Sequence, residues 1–193
     1  MENKELKLNE LKSKCLDCYK CELGKTRKNI VFSDGNPNAK ILLIGEAPGA
    51  DEDATGTPFV GRAGKFLTQL IEDVGFTRKD DFYICNTVKC RPPENRVPTD
   101  DEKQICEKYL FEQIKIVNPK VIVLCGATSA KSFLGNKLKI TQARGQWYKI
   151  LDNIDATVIF HPSFLLRKHS EDEGSPRWLT KQDLKKIKEF ISF

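Results

Sequence analysis

Ile41-Leu42-Leu43-Ile44 is an unbroken apolar run that feeds directly into Gly45-Glu46-Ala47-Pro48-Gly49. A strand with one wet face alternates apolar and polar residues, whereas a strand without alternation is covered on both faces, as in the middle of a parallel sheet. Sheets of that kind bind ligands beyond the carboxyl ends of their strands. Here that end carries a turn with an acidic side chain. An ordinary strand-to-helix turn reads the same way, so other strand ends must decide whether this one belongs to a site.

Residues 82–88 and 120–124 read as two further strands, and residues 147–151 and 156–160 as a strand, a turn at Asp152-Asn153 and the last strand. Helices are predicted between them. Residues 5–14 place Leu8, Leu11 and Cys15 at helical spacing. Phe66, Leu67, Leu70, Ile71 and Val74 do the same before a stop at Gly75. Thr99-Asp100-Asp101-Glu102 has the form of a capping box, and its helix carries Ile105, Tyr109, Leu110, Ile114 and Val117 up to Asn118-Pro119. Residues 127–134 form a short helix closed by Gly135, and Leu184, Ile187 and Ile191 mark a final one. Asp34-Gly35-Asn36-Pro37 reads as a turn, residues 50–64 as a long functional loop, and residues 171–176 as a surface loop. Strands alternating with helices predict a parallel α/β layer fold. Glu46, Asn86 and His161 then stand at three strand ends that such a sheet gathers on one edge.

At 193 residues the chain suits one domain, spanning 1–193, with residues 1–28 packed on it as a helix and a cysteine segment. The charged start of the chain lacks a secretory apolar segment and no stretch has the length of a membrane span, so we expect a cytoplasmic protein with no membrane partner. A net charge of +5 permits polyanion binding without demanding it. Arg62, Lys65, Lys89, Arg91, Arg96, Arg144, Arg167 and Lys168 lie near the candidate site loops, where phosphate contacts are commonly made.

Seven cysteines without an export signal argue against a disulfide scaffold. Cys18-x-x-Cys21 makes a pair, and Cys90 and Cys106 bracket the Pro-rich segment 91–98; Cys85 and Cys125 sit within apolar strand runs as small hydrophobes. Four thiolates suit zinc or an iron-sulfur cluster, and spacing does not separate the two. Free thiols are the plainer alternative.

In this order the motifs resemble the type 4, iron-sulfur uracil-DNA glycosylases. They are Cys18-x-x-Cys21-x-Leu23-x-x-x-Arg27, the segment 45–49, Pro58-Phe59-Val60-Gly61-Arg62-Ala63-Gly64, Asn86-Thr87-Val88-Lys89-Cys90-Arg91-Pro92-Pro93, Cys106, Arg144-Gly145-x-Trp147 and His161-Pro162-Ser163-Phe164-Leu165-Leu166-Arg167. The resemblance runs from Cys18 to the last helix. It implies a three-layer α/β/α sandwich around a four-stranded parallel sheet, with a loop region stapled by a [4Fe-4S] cluster on Cys18, Cys21, Cys90 and Cys106. Cys15-x-x-Cys18 has the same spacing, but only the Cys18–Cys21 choice puts Leu23 and Arg27 in the family's register, which leaves Cys15 as an extra thiol.

The resemblance also implies the roles. Phe59 stacks on a uracil flipped from DNA, Asn86 reads its edge, and His161 donates a hydrogen bond to O2 of the leaving base. Glu46 either positions water with its carboxylate or contacts the uracil through its backbone, and with Ala47 it borders the base. Asp51, Glu52 and Asp53 are alternatives for the water. Arg62, Arg91, Arg96 and Arg167 contact DNA, and Leu165 and Leu166 enter the duplex behind the flipped base. The implied enzyme is monofunctional, without a lyase step, acts on single- or double-stranded DNA, and is a monomer associated with the nucleoid. An iron-sulfur electron carrier, a zinc-stapled DNA-binding module and a glycosylase for another deaminated base such as hypoxanthine remain the competing readings.

Overall fold

The computed structural model describes residues 3–192. Met1, Glu2 and Phe193, part of the expected 1–193 span, lie outside the described residues. Helix α1 (Lys4–Leu16) leads through a short turn of helix, α2 (Leu23–Thr26), to β1 (Asp34–Gly35) and β2 (Ile41–Gly45). Then follow α3 (Ala50–Thr55), α4 (Arg62–Asp73), α5 (Arg78–Asp81), β3 (Phe82–Asn86) and, after a 3-10 turn at Pro93–Asn95, α6 (Asp100–Val117). The remainder comprises β4 (Val121–Cys125), α7 (Ala127–Leu134), α8 (Ile140–Ala143), β5 (Trp147–Ile150), β6 (Ile154–Ile159), α9 (Pro162–Leu165) and α10 (Pro176–Ser192).

The sheet has six strands in the order β1-β3-β2-β4-β6-β5. β3, β2, β4 and β6 run parallel, while β1 and β5 pair antiparallel at the two edges. The expected four-stranded parallel sheet is therefore the centre of a wider mixed sheet. A sequence reading passes over β1 because two residues carry no periodicity. β5 joins β6 through a tight turn in which Leu151, Asp152 and Asn153 all have positive φ.

Every residue of β2, β3 and β4 is buried, as strands covered on both faces must be. Ile41, Leu43, Ile84, Val121 and Val123 pack against Leu67, Leu70 and Ile71 of α4, Leu165 of α9, and Leu184 and Ile187 of α10. On the opposite face Leu42, Ile44, Ile122, Leu124 and Val158 meet Leu8 of α1 and Leu110, Ile114 and Val117 of α6. Each such aliphatic side chain contributes roughly 1.5–3 kcal/mol by leaving water.

The capping box at Thr99 is present: the Glu102 N–H donates to Thr99 Oγ1 at 3.2 Å, and the Thr99 N–H to Glu102 Oε2 at 2.8 Å. Residues 50–64 differ from the expected loop. Ala50–Thr55 is helical, with Asp51, Glu52 and Asp53 in its first turn, and it ends at Gly56 with φ +74. Acidic side chains at a helix start interact favourably with its dipole, so the polarity that suggested a loop is what suits this short helix.

Candidate functional site

At the carboxyl edge of the sheet lies a cavity of about 620 Å³. Glu46, Ala47, Phe59, Asn86 and His161, the residues expected to hold the base, all line it, as do Arg96 and Arg167. Arg62 is exposed at the start of α4. The sheet register accounts for the convergence, since Gly45 of β2 pairs with Asn86 of β3.

Asn86 is 2% exposed, and its Oδ1 has no hydrogen-bond partner. A buried acceptor left unpaired costs about 1–3 kcal/mol unless a ligand completes it. It faces the aromatic wall across Gly45, where a Cβ would overlap both the Phe59 ring and Asn86 Oδ1.

Phe59 holds a left-handed backbone, φ +52, which costs a non-glycine residue free energy and persists only where its surroundings over-determine it. They do so here. Arg78 donates to the carbonyls of Pro58 at 2.7 Å and Phe59 at 2.8 Å, and pairs with Asp34 at 2.9 Å. Glu52 accepts from the N–H groups of Gly49 at 3.0 Å, Val60 at 2.9 Å and Gly61 at 2.8 Å. Gly64 permits a backbone approach to Phe59 that no Cβ would allow.

His161 follows β6, with its ring centroid 6.1 Å from that of Phe59. Its Nδ1 lies 2.7 Å from Ser163 Oγ and accepts from the Ser163 N–H at 3.2 Å. Burial, then the charge of Arg167, pushes the imidazole down to about 4, with Glu52 opposing. At neutral pH the ring is therefore uncharged, and with Nδ1 accepting, Nε2 carries the proton. Gly126, at φ +93, opens the place for this ring: a Cβ there would lie 2.9 Å from His161 Cβ.

The Glu46 carbonyl accepts from Thr87 Oγ1 at 2.5 Å and from the Val88 N–H at 3.3 Å, whereas its carboxylate bonds to none of the described residues. The alternatives to it are occupied or remote: Glu52 ties loops, Asp53 is buried and accepts from the N–H groups of Lys28 and Asn29, and Asp51 is exposed.

Of the expected DNA contacts, Leu165 and Arg96 need correction. Leu165 is fully buried in the core beneath α9, so it cannot wedge into a duplex; Leu166 is half-buried and Arg167 exposed. Arg96 is engaged in a bidentate pair with Glu102 at 2.7 and 2.8 Å, which holds that carboxyl below its usual range. Arg91 donates through Nε to Asn95 at 2.8 Å. Arg144 pairs with the buried Asp183, its Nε donating at 2.8 Å, which braces α10 against the hairpin. Lys89 has no exposure at all and meets no phosphate.

Cys15, Cys18, Cys21, Cys90 and Cys106 pack into one cluster with Leu23, Phe32, Val88 and Tyr109. Burial raises Cys15 and Cys90 to about 12 and also raises Cys106, and neighbouring thiols add to each shift. Cys85 and Cys125 are buried in strands, as read from their apolar surroundings. Arg27 donates to the Cys18 carbonyl at 2.7 Å, lies 3.6 Å from Cys90 Sγ, and stacks on Tyr19. Among the described residues no group of three or more His, Cys, Asp or Glu is arranged to hold a metal ion. Ala47 touches this cluster and lines the cavity, so the two sites share a wall.

The supporting roles of Arg78, Glu52, Ser163 and the three glycines are not legible in the sequence. Gly45 and Gly126 had one available signal, a glycine at the end of each of two buried strands.

A buried carboxamide, a neutral imidazole and an aromatic wall at the edge of a parallel sheet make a site for a small planar heterocycle, and residues 32–187 match the uracil DNA glycosylase superfamily, to which the chain belongs. Within it the chain groups with the type-4 enzymes. It is 46% identical to the type-4 uracil-DNA glycosylase of Thermotoga maritima, over 90% of this chain and 89% of that one. The enzymes of the same name from Sulfurisphaera tokodaii and Archaeoglobus fulgidus are 41% and 40% identical, over 94% and 82% of this chain and 84% and 83% of theirs.

Proposed function

We propose that the chain excises uracil from DNA by hydrolysing the N-glycosidic bond, leaving an abasic site and free uracil. One observation carries the reading: the unpaired Oδ1 of buried Asn86. A carboxamide accepts from uracil N3–H and donates to O4, whereas cytosine presents an unprotonated N3 and a donor amine and leaves both groups unpaired.

The base leaves the stack at a cost of a few kcal/mol and lies against Phe59. As the C1′–N1 bond breaks, its electron pair moves to the uracil ring. The neutral Nε2–H of His161 donates to O2 and stabilises that anion, in the manner of an oxyanion hole. The free Glu46 carboxylate holds the water that adds to the sugar cation, the proton that water gives up neutralises the uracil anion, and no lyase step follows. Arg62, Arg91, Arg167 and Leu166 meet the DNA, single- or double-stranded, and the protein acts as a cytoplasmic, nucleoid-associated monomer.

The cysteine cluster fits a [4Fe-4S] group held by Cys18, Cys21, Cys90 and Cys106. Its donors are soft and packed together, Cys90 buried and Cys18, Cys21 and Cys106 half-buried, and burial raises the Cys90 and Cys106 thiols, whose protons a bound metal would displace. Bound there, the group supplies a structural staple for the segment 89–98; the hydrolysis transfers no electrons.

The test is base release from single-stranded oligonucleotides bearing one uracil, thymine or hypoxanthine, with wild type, Asn86→Ala and His161→Ala. Uracil-only release that falls in both variants supports the reading. Equal release of hypoxanthine, or none by iron-loaded protein, overturns it.

A further inference from the structure

Lys89 stands between the two sites. Its side chain has no exposure, and its Nζ donates to the carbonyl of Asn86 at 2.7 Å. The charge of the same ammonium group acts on Cys85, Cys15 and Cys106. The residue's carbonyl accepts from the Val31 N–H at 2.8 Å. Among the described residues no carboxylate pairs with it. A buried charge is strongly unfavourable without a compensating one. One carbonyl leaves Lys89 short of an anion, and the adjoining residue, Cys90, belongs to the cysteine cluster, whose thiolates would carry negative charge once metal is bound.

We propose that Lys89 is a positioning residue that serves as the internal counter-ion of the cysteine-held cluster and anchors the uracil-reading Asn86 to it. The cluster charge then holds Lys89, and Lys89 holds the strand end from which Asn86 projects. Occupancy of the cysteines is thereby tied to the register of the base reader, through one side chain rather than through the loop alone. This rests on the cluster assignment made above.

The experiment uses the intact brown protein. Lys89→Met keeps the length and removes the charge. Its cluster should reduce at a more negative potential than the wild type, because a nearby cation favours the more negative, reduced state. Free uracil should bind about tenfold more weakly, while affinity for abasic DNA stays unchanged. A second measurement needs no variant. Wild type grown on lysine labelled with 15N at Nζ and reduced with dithionite should show 15N modulation in the electron spin echo of the cluster. An unaltered potential in Lys89→Met, or a cluster without lysine 15N modulation should the variant fail to fold, overturns the inference alone. Wild type isolated with full cysteine content but no iron-sulfur cluster removes the cluster assignment and this inference with it.

Discussion

The Ser163 N–H donates to Nδ1 of His161 from two residues downstream, at the first turn of α9. The tautomer is thus set by the backbone, because a nitrogen that accepts an N–H cannot also carry the proton. Burial keeps the ring uncharged, so in the proposed mechanism the donor offered to the leaving base is an imidazole and not an imidazolium.

A titration follows from that burial. The folded imidazole lies at about 4, below the ordinary 6.5. Above 6.5 both folded and unfolded chains hold it neutral, so its contribution is constant. As pH falls from 6.5 to about 4 the unfolded chain takes up a proton that the folded chain refuses, and stability drops by at most about 3 kcal/mol. Below about 4 no further loss comes from this group. Side-chain NMR of His161 should give a midpoint near 4, and a midpoint above 6 would contradict the neutral donor.

Gly45→Ala places a methyl where the Phe59 ring and Asn86 Oδ1 now meet. Base release should fall by about a hundredfold, the scale expected for a misplacement of roughly 1 Å. Circular dichroism should remain that of the wild type. Full activity would mean that Phe59 and Asn86 do not close on the base together.

Glu52→Gln turns into a donor NH2 one of the two carboxylate oxygens that between them accept from three backbone N–H groups across two loops. We expect a stability loss of about 1–3 kcal/mol by denaturant unfolding. Single-turnover release should slow, since Phe59 loses part of what holds its strained backbone. A variant that unfolds early but keeps its single-turnover rate would confine Glu52 to stability.

The arginines should separate by salt dependence. Arg167→Ala is expected to weaken DNA binding and reduce the slope of log affinity against log salt by about 1. Arg96→Ala should leave that slope unchanged and lower the unfolding temperature, because its guanidinium is already committed to Glu102. Equal slope changes in both would show that the Arg96 pair opens on DNA.

The extra thiol gives a fifth test. Cys15→Ala should purify brown with wild-type iron content, and Cys106→Ala should lose iron. The reverse pattern would move the ligand set by one cysteine.

The parts of this fold legible in the sequence were those with a local cause. The unbroken apolar runs of β2 and β4 and the caps at Thr99 and Asn118 all follow from neighbours within a few residues. The convergence of Glu46, Asn86 and His161 was legible too, because parallel strands share an edge. What was hidden depends on distant partners. Leu165 and Leu166 look alike along the chain, and only the fold of α9 decides which one the core takes. Arg96 and Arg91 both sit in a basic, Pro-rich segment, but Glu102 lies within reach of one of them. Glu52 offers itself along the chain only as a further acid for the water, because its three N–H partners, at Gly49, Val60 and Gly61, are brought to it by the fold.

The antiparallel margins of the sheet bear on how the chain behaves at high concentration. A bare parallel core would leave a full-length strand open on each side, a template for pairing with a second molecule. β1 offers only two residues there. β5 leads back into the fold through a tight turn, with Lys149 on the strand and Trp147 stacked on Phe190. A neighbour is met by a short edge on one side and a charged, aromatic-capped one on the other, so the rows of backbone donors and acceptors offer little purchase for self-association.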